Sequence, residues 1–232
     1  MAKDVIIALD FPSLNETLSF LDKFGNEKPF VKVGMELYYA EGPKVVREIK
    51  ARGHKIFLDL KLHDIPTTVK RSMAVLSALD VDMTNLHAGG GIAMMKAAVE
   101  GLTRADGSRP ILIGVTQLTS TDKRTLSEEL LISGSIENVV KTYALNALKA
   151  GLDGVVCSPL EAAAVHAACG YSFFAVTPGV RFEDGEKGDQ SRVTTPAKAR
   201  LLGSDYIVVG RPITASENSV EAYRRAKEEF LG

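Results

Sequence analysis

FLDLKLHDIPTT, residues 57 to 68, opens as an apolar strand and ends as a turn, yet it carries Asp59, Lys61 and Asp64 within six positions. A buried strand that runs into charge is expected where a parallel sheet surfaces at the carboxyl ends of its strands, and the rest of the chain repeats the strand pattern. Short β-branched, apolar runs recur as VIIAL (5–9), FVKVG (30–34), KIFLDL (55–60), MTNLHA (83–88), ILIGVT (111–116), GVVCS (154–158), FFAVT (173–177) and YIVVG (206–210). Helical start signals lie between them: Ser13 with Glu16 as a capping box, Gly42-Pro43, and Thr195-Pro196 ahead of AKARLL. Eight units in 232 residues give roughly 29 residues per strand, loop and helix.

Strands alternating with helices imply a parallel sheet, because parallel neighbours need a long crossover that a helix supplies. Eight units predict an α/β protein with a closed (β/α)8 TIM barrel, a single domain over residues 1–232, with compact loops; a doubly wound open sheet is the structural alternative. No segment is rich enough in Pro, Gly or Ser to be a linker, and no literal repeat is visible.

Composition narrows the function. The 28 Lys and Arg balance 29 Asp and Glu, for a net charge of −1. No basic field attracts nucleic acid or an anionic membrane, so an anionic ligand must be held by local groups. The amino-terminal apolar run, Val5 to Leu9, is too short for a signal peptide or a spanning helix, and a cytoplasmic protein is expected. Cys157 and Cys169 form no CxxC pair. Cys157 reads as a buried structural thiol and Cys169 as the end of a helix before Gly170. The four histidines show no HxxxH or HxH spacing, so no metal site is expected of them. GRPI is not a Walker motif and HAGGG (87–91) lacks GxGxxG spacing, so neither argues for a nucleotide cofactor. The triple Gly (89–91) reads as a tight turn into a helix starting near Ile92, with His87 at the strand end facing a ligand as the lesser alternative.

The unusual residues fall where a barrel keeps its chemistry. Asp10 follows the first run, Lys32 sits in the second, and Asp59 and Lys61 close the third. A strand period of two turns Asp59 and Lys61 to one face. Burying their charges costs several kcal/mol unless they are paired, so Lys32 and Lys61 need the carboxylates of Asp10, Asp59 and Asp64 around them. Two competing readings are a purely structural ion-pair knot and a Mg²⁺ site on the three carboxylates; the interposed Lys61 opposes the second. A second cluster follows the seventh and eighth runs: TPGVRFEDGEKGDQSR (177–192) reads as a Gly-interrupted lid, and VVGRP (208–212) ends a strand. Those loops are the usual phosphate site of such barrels. Gly210 offers close backbone approach, Arg181 and Arg211 offer forked donors, and Gln190 offers one neutral donor.

DLKLHDIPTT (59–68), with ALD (8–10), VKVG (31–34), TPGVR (177–181), DQSR (189–192) and VVGRPI (208–213), closely resembles the bacterial orotidine 5'-phosphate decarboxylase family, over nearly the whole chain and in the family's order. The D-x-K-x-x-D element is shared with related phosphosugar decarboxylases, but these typically carry Glu where this chain has Lys32. The resemblance implies decarboxylation of orotidine 5'-monophosphate to uridine 5'-monophosphate with no metal and no organic cofactor. It implies Lys61 as proton donor to C6, Asp59 against the substrate carboxylate, and Lys32 and Asp64 completing an alternating charge array. Asp10 would hold ribose hydroxyls. Ser120 would meet the pyrimidine ring, with Thr119 and Pro178 also among the substrate-binding residues. Arg181, Gln190, Gly210 and Arg211 would grip phosphate. Asp64 and Thr68 would reach in from the partner subunit of a homodimer. The alternatives are a Mg²⁺-dependent phosphosugar decarboxylase or epimerase on the same barrel and, more distantly, a barrel that binds a nucleotide without reacting it.

Overall fold

The computed structural model describes residues 3–183 and 194–232. Eight strands, β1 (Asp4–Leu9), β2 (Phe30–Gly34), β3 (Ile56–Leu62), β4 (Met83–His87), β5 (Ile111–Val115), β6 (Gly154–Val156), β7 (Phe174–Thr177) and β8 (Tyr206–Val209), close in sequence order into one barrel. Every neighbouring pair is parallel, and β1 pairs with β8, which excludes the open sheet. Around it lie α1 (Leu14–Asp22), α2 (Met35–Glu41), α3 (Pro43–Ala51), α4 (Pro66–Ser77), α5 (Gly91–Leu102), α6 (Ile136–Ala150), α7 (Ala162–Cys169), α8 (Pro196–Leu201), α9 (Arg211–Thr214) and α10 (Ser219–Leu231). Among the described residues no helix is long and apolar enough to cross a membrane.

Local chemistry explains the boundaries. Ser13 caps α1 by accepting from Glu16 N–H at 3.3 Å, but the box is only half formed: Glu16 Oε1 accepts from the Ser13 hydroxyl rather than from its backbone. Pro43 opens α3, Thr195 caps α8, and Gly170 ends α7 after Cys169. A complete box that the sequence reading passed over joins Ser158 and Glu161 after β6.

Because side chains alternate along a strand, the barrel sorts its residues into two apolar layers. Val5, Ile7 and Leu9 of β1 pack outward under the helices. Ile6 and Ala8 turn inward with Phe30, Phe57, Met83, Ile113, Val176, Tyr206 and Val208 to fill the barrel. Two residues beyond Phe30 and Phe57 on the inward face come Lys32 and Asp59, so apolar filling gives way to charge at the carboxyl ends of the strands.

Among the described strand pairs the register shifts once, and at a decisive place. Leu58 pairs with Thr84 and Leu62 with Leu86, so β3 spends two more residues than β4 over the same span. Within this bulge Lys61 has φ 51°, the left-handed region that L-residues occupy only at a cost of about 1–2 kcal/mol. Strand period alone therefore does not account for the position of Lys61.

Candidate active site

Four charged side chains form a chain across the mouth of the barrel. Lys61 Nζ donates to Asp59 Oδ1 at 2.6 Å. Lys32 Nζ lies 3.5 Å from Asp59 Oδ2 and donates to Asp10 Oδ1 at 3.2 Å. Signs alternate from Asp10 through Lys32 and Asp59 to Lys61. The Asp59 carboxylate is nearly buried, whereas Asp10 is largely open to solvent. Burial by itself would push the Asp59 pKa up; Lys32 and Lys61, with hydrogen bonds from Lys61 and Asn85, outweigh it and hold the carboxyl below its ordinary value. The Lys32 ammonium occupies the space between Asp10 and Asp59 where a bridging cation would have to sit.

Beside this chain opens a cavity of about 270 Å³. Its lining combines the charged Lys32, Asp59 and Lys61 with the apolar Phe57, Val115, Val176 and Val208 and with Thr119, Ser120 and Pro178. An apolar slot with a few charges at one edge suits a flat heterocycle bearing one reacting anionic group. Cys157 is fully buried, as expected of a structural thiol, and also lines the cavity wall.

The other expected residues fall as follows. Gly210 and Arg211 stand at the turn from β8 into α9. A methyl at Gly210 would lie 3.6 Å from Ala8 Cβ and 3.7 Å from Asp10 Oδ2, ordinary contact, so crowding within the chain does not require glycine there. Arg181 follows β7, its backbone N–H bonded to Thr194 O at 2.9 Å and its Nη1 donating to Val180 O. Gln190, and with it the part of the predicted lid over residues 184–192, lies outside the described residues.

Asp64 does not join the chain of charges. It is exposed, its Oδ1 accepts from Ile65 N–H at 2.6 Å, and among the described residues it forms no ion pair with Lys32 or Lys61. The expectation that a single chain surrounds its lysines with three carboxylates is corrected to two, because Asp64 lies past the end of β3, is exposed, and pairs with Ile65 N–H instead. Thr68, on the first turn of α4, is exposed as well. His87 lies outside the cavity lining and faces the ring of His63, centroids 5.6 Å apart; burial first, then His63 and Lys61, lower its pKa.

The sequence reading missed Asn85. It is fully buried, donates to Asp59 Oδ1 at 2.7 Å and accepts from Lys61 N–H at 2.8 Å. A signal was available: in MTNLHA, Asn85 shares the inward face with Met83, and an interior amide on a central strand is costly unless it has partners. Gly34, the last residue of VKVG, is also placed by the site: a methyl there would stand 3.0 Å from Lys32 Nζ.

Comparison with known proteins converges on one family. The sequence model of the Orotidine 5'-phosphate decarboxylase / HUMPS family matches residues 3–226. Orotidine 5'-phosphate decarboxylases of Bacillus anthracis and Bacillus cereus are each 53% identical over 235 residues, covering 100% of this chain and 99% of theirs. The crystal structure of orotidine 5'-phosphate decarboxylase from Lactobacillus acidophilus is similar with a TM-score of 0.88 at 40% identity, covering 99% of this chain and 100% of that one. An uncharacterized conserved protein from Geobacillus kaustophilus gives 0.87 at 50% identity, covering 97% and 99%. With its barrel, its D-x-K-x-x-D strand end and these full-length matches, the chain belongs to the Orotidine 5'-phosphate decarboxylase / HUMPS family.

Proposed function

We propose that this chain decarboxylates orotidine 5'-monophosphate to uridine 5'-monophosphate and carbon dioxide, a step of pyrimidine biosynthesis, without metal or organic cofactor. The observation that carries the reading is the alternating chain Asp10–Lys32–Asp59–Lys61 at the edge of an apolar cavity, in a member of this family.

Loss of carbon dioxide from C6 leaves an electron pair on a ring carbon with no adjacent carbonyl to accept it. The protein must therefore stabilise that charge with groups already in position. Lys61 supplies the ammonium. Its 2.6 Å contact to Asp59 fixes it, so little reorganisation is needed as the carbanion develops, and its proton then closes the C6–H bond. Asp59 lies against the departing carboxylate; Lys32 balances Asp59 and reaches the ribose side, where Asp10 accepts from hydroxyls. Thr119, Ser120 and Pro178 flank the ring.

Phosphate is gripped by Arg181, Gln190, Gly210 and Arg211. That contact is remote from C6, and its binding energy is spent on assembling the closed site, so it lowers the chemical barrier. The working unit is a cytoplasmic homodimer in which Asp64 and Thr68 complete the neighbouring subunit's site. The exposure of both residues, and the absence of Asp64 from its own chain of charges among the described residues, support this arrangement. One barrel, residues 1–232, forms each catalytic unit.

The test is direct: purified protein is mixed with orotidine 5'-monophosphate in excess EDTA and the orotate absorbance is followed. Loss of absorbance with release of carbon dioxide is expected. An inert protein that turns over a sugar phosphate once Mg²⁺ is restored would overturn the proposal.

A further inference from the structure

We propose that Asn85 is a positioning residue for this reaction, whose side-chain amide sets both the carboxylate of Asp59 and the left-handed backbone of Lys61, and so aims the ammonium into the cavity. The inference rests on the decarboxylase reading and adds a residue to it.

The need for such a residue arises in the strand ladder. Between the pairs Leu58–Thr84 and Leu62–Leu86, β3 has three intervening residues where β4 has one, so the regular exchange of backbone hydrogen bonds lapses there. The Lys61 N–H falls in this gap. Its acceptor is the Oδ1 of Asn85, the one intervening residue on β4, at 2.8 Å. The same amide turns its Nδ2 to Asp59 Oδ1 at 2.7 Å, the oxygen that also receives the Lys61 ammonium at 2.6 Å. One side chain thus grips the backbone and, through Asp59, the tip of the same lysine. Lys61 at φ 51° is a conformation that needs support from its surroundings.

The chemistry selects asparagine. One donor and one acceptor on a single planar group are both used, and the residue is fully buried, so water cannot replace either contact. A carboxylate of the same shape would keep the acceptor for Lys61 N–H, lose the donor, and set a like charge against Asp59. Protonation of that carboxyl would restore the donor.

The experiment compares the unaltered chain with Asn85→Ala and Asn85→Asp as full-length proteins. It reads kcat and KM for orotidine 5'-monophosphate from pH 5 to 8, and the Kd for uridine 5'-monophosphate by calorimetry. For Asn85→Ala, kcat is expected to fall by about 100-fold or more, while the product Kd changes less than about threefold. For Asn85→Asp, the deficit in kcat is expected to be large at pH 8 and to narrow as pH falls, because the introduced carboxyl takes up a proton beside Asp59 and becomes a donor. A residue that only fills space would weaken product binding as much as turnover and would leave the Asn85→Asp deficit the same at every pH; either result overturns the inference. Should Asn85→Ala fail to fold, the pH profile of the isosteric Asn85→Asp decides alone. An unaltered chain that binds the product but leaves the substrate intact would instead overturn the decarboxylase reading, and the inference with it.

Discussion

Asp59 is a buried carboxylate between two ammonium groups, and two consequences follow at that scale. The first concerns pH. Its folded pKa is lowered, so the stability it contributes is complete above its ordinary value of 3.8 and is lost as pH falls through the lower folded value, where the folded state finally takes up the proton the unfolded chain already holds. The difference in unfolding free energy between the unaltered chain and Asp59→Ala is therefore expected to be flat above about pH 4 and to narrow below it, as measured by urea titration at each pH. The second concerns Gly34, whose backbone φ of −89° would accept any residue. Gly34→Ala would put a methyl 3.0 Å from Lys32 Nζ, and only the ammonium can yield. Stability should change by less than about 1 kcal/mol, whereas kcat/KM should fall about 10- to 100-fold as Lys32 is displaced from Asp10 and Asp59. An unchanged kcat/KM would mean that the position of Lys32 is not critical.

Along the elements, the sequence was most legible where local chemistry decides the outcome. The run FVKVG coincides with β2, and each of the other seven runs contains or overlaps its strand within about two residues, because β-branched side chains bounded by turn residues leave few alternatives. The Pro and Thr signals likewise marked the starts of α3 and α8. What was not legible is non-local. The bulge in β3 depends on how β4 lies beside it, and nothing in FLDLKLH marks Lys61 as left-handed. The same holds for the partners of Asn85 and for the local pairing of Asp64 with Ile65 N–H, which period-two reasoning does not reach. Gly101 is a further case. It lies on α5 against α4, where an added methyl would meet Lys70 O at 2.1 Å, and backbone cannot yield as a side-chain tip can. Gly101→Ala is expected to destabilise the chain by about 1–3 kcal/mol in denaturant unfolding through forced separation of the two helices. A cost near zero would show that they part freely.

For the whole molecule, the barrel explains why this chemistry gathers at one end: the inward positions Ile6, Phe30 and Phe57 are apolar, and charge enters two residues further along β2 and β3, at Lys32 and Asp59. A single chain nevertheless leaves Asp64 and Thr68 exposed, with Asp64 bonded to Ile65 N–H and, among the described residues, in no ion pair with Lys32 or Lys61, which the proposed dimer accounts for. Mixing inactive Lys61→Ala with inactive Asp64→Ala subunits gives a sharp prediction. If Asp64 serves the neighbouring site, each mixed dimer has one intact site, and exchange at equal concentrations should restore roughly a quarter of full activity; service within its own chain would restore none. The most direct measurement on the central claim, that the Lys61 ammonium held by Asp59 carries the decarboxylation, is kcat/KM of Lys61→Ala in EDTA beside its affinity for uridine 5'-monophosphate. The account predicts a loss of at least about 10³-fold in kcat/KM with the chain folded and the product still bound. A variant that keeps its activity, or that loses activity only because it unfolds, would make the array the structural knot it resembles on spacing alone and would contradict the account.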